Sequence, residues 1–430
     1  MSPNTRRYIA LFALSLGAAA SYTLPYIKYI FYDAWVAGLG LPEGANESAG
    51  WLLTFHMIGC TILYIPGGYI ADRFSPKKII VISLVGTGLL NLWYSFDPTY
   101  ETGRIIWFLL AFTVGFAYWS GTIKAVRMLG TAQEQGRMYG FYNAGEGAFS
   151  ATCLGVATVA YGLSVVPLES LKYAVWVQAG FCFLAAILTG FFFDENLATA
   201  NTDESEKFQL RDVGKVLKNP WVWCVSIVVM CCYGAYTGQS YLTPYMTQVL
   251  QMSAVSGAVL GIIRTKGARF TGGPLGGILA DRLGSSCKVI IGSNVAMIIL
   301  LSLFFVIPNA TEQAFLAVTL SLLVAVVNFM GYNIMFATVE EAHIPRYLTG
   351  TAVGIISILG YSPDGFINAI FGNWLDKYGE SAPEAYHMIF LFLIAMCVVG
   401  SFFCFLIMRR HNRIMKEQIM ESEILAKPAV

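Results

Sequence analysis

This 430-residue chain is short of charge: Asp, Glu, Lys and Arg make up 12% of it, against about a quarter of a soluble domain. Histidine occurs four times. The nine cysteines keep no metal-ligand or disulfide spacing. All but Cys287 sit in apolar runs, where the thiol behaves as a small hydrophobe, so adjacent Cys231 and Cys232 read as packing rather than redox. No phosphate-binding loop, metal-ligand cluster or soluble domain is visible. That argues against an enzyme, and neither a cofactor nor a metal is expected. A net charge of +1 with no basic domain excludes a nucleic-acid partner. No small-residue cleavage site follows the first apolar run, which reads as a span and not a signal peptide.

What fills the chain is apolar: 56% hydrophobic residues and a mean hydropathy of +0.61. Runs of the ~20 residues that cross a bilayer core recur throughout. The predicted fold class is an all-α polytopic membrane protein of twelve helices, at 7–33, 49–72, 77–96, 104–129, 136–164, 170–193, 220–250, 255–281, 287–308, 312–341, 347–376 and 384–409. The longest break, "DENLATANTDESEKFQLRDVGKVLKNP" at 194–220, is polar. It divides the chain into an N-terminal bundle (1–193), a central loop (194–219), a C-terminal bundle (220–414) and a tail (415–430).

Most of the 27 lysines and arginines fall at the N-terminus, in the central loop and in alternate loops, with only Arg104, Lys172 and Lys377 in the opposite loops. Positive residues stay cytoplasmic, so both termini are expected inside, in the plasma (inner) membrane. The Asn-x-Ser/Thr sequons at Asn46 and Asn309 then face outward.

Two repeats divide the chain the same way. "SYTLPYI" at 21–27 returns as "SYLTPYM" at 240–246. "PGGYIADRFSPKK" at 66–78 returns as "PLGGILADRLGSSCK" at 274–288, aligning Gly68, Asp72 and Arg73 with Gly277, Asp281 and Arg282. Span 1 therefore matches span 7, and span 2 matches span 8. Pro25 and Pro244 interrupt the helical hydrogen-bond ladder and allow a kink. Tyr22 and Tyr26, like Tyr241 and Tyr245, lie four apart, so each pair is expected to share a helix face. Interfacial anchoring of these rings is the competing role.

On these residues the chain resembles the major facilitator superfamily over nearly its whole length, through the loop signature Gly-x-x-x-Asp-Arg-x-Gly-x-Lys/Arg-Lys/Arg. The first copy departs in Ser75 where Gly is usual; the second keeps Gly284 but only one trailing base, Lys288. The resemblance implies two pseudo-symmetric six-helix bundles, a monomer, and alternating access by a secondary transporter. It also implies a conformational latch at Gly68, Asp72, Arg73, Gly277, Asp281 and Arg282, and a cavity lined by Tyr22, Tyr26, Tyr241 and Tyr245. Read physically, the two glycines would let helix backbones approach closely, and the aspartates would cap or pair with a neighbouring helix start.

Charges inside spans are costly and so mark sites. Span 8 holds Arg264, Lys266 and Arg269 in "GIIRTKGARF", and span 4 holds Lys124 and Arg127 in "GTIKAVR". The deep acids are fewer: Glu146 in "NAGEGAF" and Asp364 in "YSPDGF". A surplus of bases favours an anion, for which Arg presents a planar fork. A basic span 8 is similar to the oxalate/formate and nitrate/nitrite porters of the superfamily, although the Gly-rich nitrate signature is missing. The span-1 Arg of organophosphate antiporters is missing too, and Lys28 lies near the outer end. Substrate ligands are expected at Arg264, Arg269 and Lys124, with Tyr361 and Asn333 as polar lining beside Asn328, Tyr332, Gln239 and Trp119. Glu146 would neutralise Arg264 or Arg269, while Lys266 points elsewhere. Proton coupling needs a titrating group, for which Asp364, Glu146 and His56 are candidates; Asp364 would otherwise cap a broken helix. The expected function is transport of a small organic anion, with a neutral sugar/proton symporter or drug exporter as the rival.

Overall fold

The computed structural model describes residues 3–42, 45–129, 135–194, 213–306, 314–345, 348–379 and 381–425. Among them the helices trace twelve rods. In the first half these are span 1 (Pro3–Ser21 with Lys28–Gly38), span 2 (Asn46–Arg73), span 3 (Pro76–Phe96), span 4 (Tyr100–Leu110 continuing to Met128), span 5 (Gln135–Tyr161) and span 6 (Pro167–Phe192). The second half has span 7 (Pro220–Gly238 continuing to Val249), span 8 (Ala254–Ile262 continuing to Leu283), span 9 (Ser286–Leu303), span 10 (Ala314–Tyr332 with Thr338–Glu341), span 11 (Thr349–Gly360 with Ile367–Tyr378) and span 12 (Pro383–Leu425). Eight of the described helices are long and apolar enough to cross a membrane.

Local chemistry sets the ends. Spans 3, 6 and 7 begin with Pro in the first turn, where its missing N–H costs nothing. Ser75, the departure from the loop signature, is the N-cap of span 3 and accepts from the Lys78 N–H at 3.2 Å. Gly284 ends span 8 at φ +62°, a left-handed conformation that only glycine adopts freely.

Packing follows the duplication. In the first half spans 1–5, 1–6, 2–4, 3–4, 3–6 and 5–6 are in contact; the second half repeats the set as 7–11, 7–12, 8–10, 9–10, 9–12 and 11–12. Among the described residues the halves meet along two seams related by the same offset, span 2 on span 11 and span 5 on span 8, and span 1 also packs on spans 7 and 8. Each half buries one apolar cluster towards the end that carries the central linker and one towards the remote end. Among the described residues the remote clusters borrow across the halves: Tyr32 joins the second half's and Ala258 the first's. The outward faces show Ile82, Phe191, Phe315 and Phe402, as a rod facing lipid must.

Several expectations change. The central loop is not loop throughout, because Val213–Leu217 is a short helix packed on spans 7 and 11. Span 12 runs on as helix to Leu425, through the predicted tail. Gly277 has open space around it. Its neighbour Gly276 makes the close approach, since a Cβ there would strike the Met330 carbonyl of span 10. One residue along a helix turns the face by about 100°. Asp281 and Arg282 are exposed. The start of span 9 is capped instead by Glu341 of span 10, which accepts from Ser285 Oγ (2.7 Å) and from the Ser286 and Cys287 N–H groups. The side chains of Gly68, Asp72 and Arg73 lie outside the described residues.

Candidate functional site

Spans 1, 7, 10 and 11 are each broken. Residues 22–27 form hydrogen-bonded turns, and span 7 passes through 3₁₀ (Gln239–Tyr241) and π (Tyr245–Val249) turns around Pro244. Span 11 breaks at Ser362–Gly365, and span 10 breaks before Met335. The tyrosine pairs therefore do not share one regular helix face. A break also frees backbone and side-chain polar groups to face inward, which bilayer-depth backbone tolerates only inside protein or water.

Asp364, in the span-11 break, is 1% exposed. Its Oδ2 accepts from Tyr26 Oη of the first half (3.0 Å) and Tyr233 Oη of the second (2.6 Å), and its Oδ1 from Thr237 Oγ1 (2.7 Å). It caps no helix through its side chain. Four residues on, Asn368 donates back to the Asp364 carbonyl (3.3 Å) and accepts from Lys28 Nζ. Lys28 also donates to Tyr241 Oη at 3.1 Å. Sequence reasoning set Lys28 aside as a residue of the outer end, yet it is 2% exposed and reaches across the halves. Tyr233, Thr237 and Asn368 were missed as well. The i, i+4 spacing of Asp364 and Asn368 was the available signal.

Arg264 is fully buried. Its Nη2 donates to Thr243 Oγ1 (2.7 Å) and, at 3.5 Å, to the Ser240 carbonyl, both in the span-7 break. Its Nε and Nη1 have no hydrogen-bond partner among the described residues. Glu146 does not neutralise it. That carboxylate sits instead between Lys266 (3.7 Å) and Arg269 (3.5 Å). Lys266, expected to point elsewhere, is turned onto the inter-half seam by the π segment Ile263–Gly267. Such a bulge adds a residue to one turn and shifts the helix faces after it. Arg269 also lies 6.0 Å from the centre of the Tyr332 ring.

The other candidates fall on either side of this centre. Tyr241 is in it; Tyr245 packs in the second half's core among Phe304, Tyr386 and Phe390. Tyr22 is half-buried against the first half's core. Tyr361 stands 4.7 Å from Tyr233, ring centre to ring centre. Asn333 donates to the Phe329 carbonyl beside the span-10 break (2.9 Å), and Gln239 donates to Asn328 (3.4 Å) with its own Oε1 unpartnered. Lys124 is half-buried at the end of span 4, and the Arg127 side chain lies outside the described residues. His56 is buried, with Nδ1 donating to the Trp107 carbonyl (3.1 Å) and Nε2 facing Cys60 Sγ (3.6 Å). The Trp107 indole in turn holds the Pro25 carbonyl (3.2 Å), so His56 braces the span-1 break.

The remote end is closed by polar contacts between the halves. Asp376 of span 11 accepts from the Asn46 and Glu47 N–H groups at the start of span 2 (2.6 and 2.9 Å) and from Asn46 Nδ2 (3.0 Å). Asp33 accepts from Thr247 (2.8 Å) and Gln248 (2.9 Å). Gly50 and Gly372 let the two backbones touch, because a Cβ on either would strike a carbonyl of the other span. The Asn46 side chain, of the first sequon, is buried in this contact and in one from Tyr32 (2.7 Å). Asn309 lies outside the described residues.

Comparison with known proteins matches residues 7–367 to the family model described as Major Facilitator Superfamily. The chain is 31% identical over 417 residues to "Inner membrane protein YqcE" of Escherichia coli (strain K12), covering 94% of this chain and 95% of that one. It is 24% identical to "Inner membrane protein YihN" of the same strain, covering 96% and 99%. Among solved structures it is similar to a bacterial homolog of the human lysosomal transporter Spinster, in an inward-facing and occupied conformation (TM-score 0.68, 12% identity, 94% and 95% covered). It is also similar to the nucleoside transporter NupG (TM-score 0.69, 14% identity, 95% and 99% covered).

Proposed function

The chain belongs to the major facilitator superfamily and is an integral membrane transporter, and we propose that it moves a small organic anion by alternating access. The observation that carries the anion is Arg264. A buried guanidinium with two unpartnered nitrogens is costly unless a ligand completes it. A carboxylate or phosphate does so with charge-assisted, two-pronged hydrogen bonds. Lys266 and Arg269 outnumber their one carboxylate, Glu146, which adds to the pull.

Asp364 is the coupling residue in this reading. It ties Tyr26 of one half to Tyr233 and Thr237 of the other, so adding a proton there would loosen contacts that hold the halves. With both termini cytoplasmic, the closed remote end is the outer one, so this is an outward-closed form in the proposed reading. Proton coupling and anion exchange are the two modes this allows. The neutral sugar/proton symporter has one supporting feature, the amide pair Gln239–Asn328.

Uptake into proteoliposomes of carboxylates, sugar phosphates and neutral sugars tests this, with Arg264→Gln alongside. Anions are expected to be carried, and Arg264→Gln to lower their uptake ~10- to 100-fold, the worth of a charged hydrogen-bond set. Carriage of neutral solutes with Arg264→Gln at the parent rate would sink the reading. Asp364→Asn is expected to abolish accumulation driven by a pH gradient while sparing exchange; undiminished accumulation would remove Asp364 from that role.

A further inference from the structure

Beside the basic face of span 8 lies a group of tyrosines to which the transport reading gives only one role, that of Tyr233 on Asp364. Tyr236 and Tyr332 pack at 5.0 Å between ring centres, Tyr233 and Tyr332 at 6.2 Å, and Tyr233 and Tyr361 at 4.7 Å. Tyr233 binds the central Asp364, and Arg269 reaches Tyr332 from the inter-half seam, so the group stands between the two charged centres. Other tyrosines here hide their rings, and some hand their hydroxyls to the protein, Tyr118 to the Leu14 carbonyl (2.5 Å) and Tyr386 to Gln248 (2.6 Å), while the Tyr94 hydroxyl is sealed in the core. Tyr332 and Tyr361 do neither. Both are half-buried, and among the described residues their hydroxyls make no hydrogen bond and are not sealed in.

We propose that the carried anion is built on a hydroxylated ring, as in a cyclic sugar acid or sugar phosphate. Its apolar ring face lies on Tyr332 and Tyr361, its hydroxyls meet theirs, and its charge is drawn to the basic face of span 8. Aromatic walls with a few aimed polar groups are how pockets recognise a body of this kind. The inference rests on the anion reading and narrows it from any small anion to one with a ring.

The test is calorimetric binding to the purified full chain. The probes are D-glucuronate and D-glucose 6-phosphate (ring anions), gluconate (the open-chain hydroxylated anion), adipate (an open-chain dianion) and D-glucose (the neutral ring). At least one ring anion is expected to bind about tenfold or more tighter than gluconate, adipate and glucose. Tyr361→Phe, which removes one hydroxyl, should weaken it about two- to tenfold, the range of one hydrogen bond. Tyr332→Leu should weaken it at least as much, and both should weaken an open-chain anion less than they weaken the ring anion. Gluconate or adipate binding as tightly as the ring anions, or a silent Tyr361→Phe, overturns the ring while leaving the anion reading in place. Glucose binding as tightly as the ring anions, with Arg264→Gln silent, overturns both. So does a panel in which nothing binds.

Discussion

At the scale of single residues, the chain places charge where burial is deepest and satisfies it mostly with hydroxyls and amides. Lys28 is the clearest case. Its ammonium is held by Tyr241 Oη and Asn368 Oδ1. Lys28→Met leaves both buried acceptors short of a donor, a loss of about 1–3 kcal/mol. The expected result is a lower melting temperature for the purified protein, by several degrees, and an unchanged melt would show that the contact contributes nothing. A different residue reports on pH. His343, in the loop after span 10, has φ +47° and stacks on His411 with ring nitrogens 3.1 Å apart. Burial, with His411 and Arg410 beside it, holds its imidazole below the ordinary value of 6.5. The unfolded chain therefore takes up this proton first. Stability is untouched well above 6.5 and falls as the pH drops through that value. His343→Asn keeps a residue that tolerates the left-handed backbone. It is expected to flatten the fall in melting temperature between about pH 8 and pH 5.5; an equal fall in both proteins would assign the sensitivity elsewhere.

At the scale of elements, the twelve spans were legible because apolar runs of bilayer length leave little else to read. The interior was not, and the reasons are specific. A face drawn from 3.6-residue periodicity fails across a break, which is why the Tyr22/Tyr26 and Tyr241/Tyr245 pairings did not hold. It fails again across the π segment of span 8, which put Lys266 rather than Arg264 on Glu146. The bases were found because charge in a span is conspicuous. Hydroxyl and amide partners such as Thr237 and Asn368 carry no such signal. The seam between spans 2 and 11 was likewise invisible, since it rests on a helix start in one half meeting a carboxylate in the other. Asp376 acts there as an N-cap supplied in trans, satisfying two N–H groups of span 2. Losing such a cap costs about 0.5–2 kcal/mol. Asp376→Ala is accordingly expected to shift the balance between remote-closed and remote-open forms by ~2- to 30-fold towards open. Spin labels at residues 42 and 251, in the loops after spans 1 and 7 at that end, would report a longer distance. A distribution identical to the parent's would mean that Asp376 holds nothing shut.

At the scale of the whole molecule, the contact pattern says how much of the chain is one machine and how much is two. Each half repeats the same six pairings and owns apolar clusters towards both ends, so each has the core a bundle needs to fold. Among the described residues the halves then meet along the span 2–11 and span 5–8 seams and where span 1 packs on spans 7 and 8, and the polar latches there are contacts that the proposed alternating access would make and break. The described part of the linker, Val213–Leu217, packs on spans 7 and 11 and so belongs to the second half. A cut between residues 194 and 213 should therefore spare both bundles. We expect fragments 1–194 and 213–430, co-expressed in one membrane, to co-purify and to carry substrate with an unchanged KM and a lower maximal rate. Each fragment alone should insert but carry nothing, because Lys28 and Tyr26 lie in one and Asn368 and Asp364 in the other. If the fragments insert without associating, the seams are too weak to hold the halves without the linker. If one fragment transports alone, the centre described here is not shared between the halves.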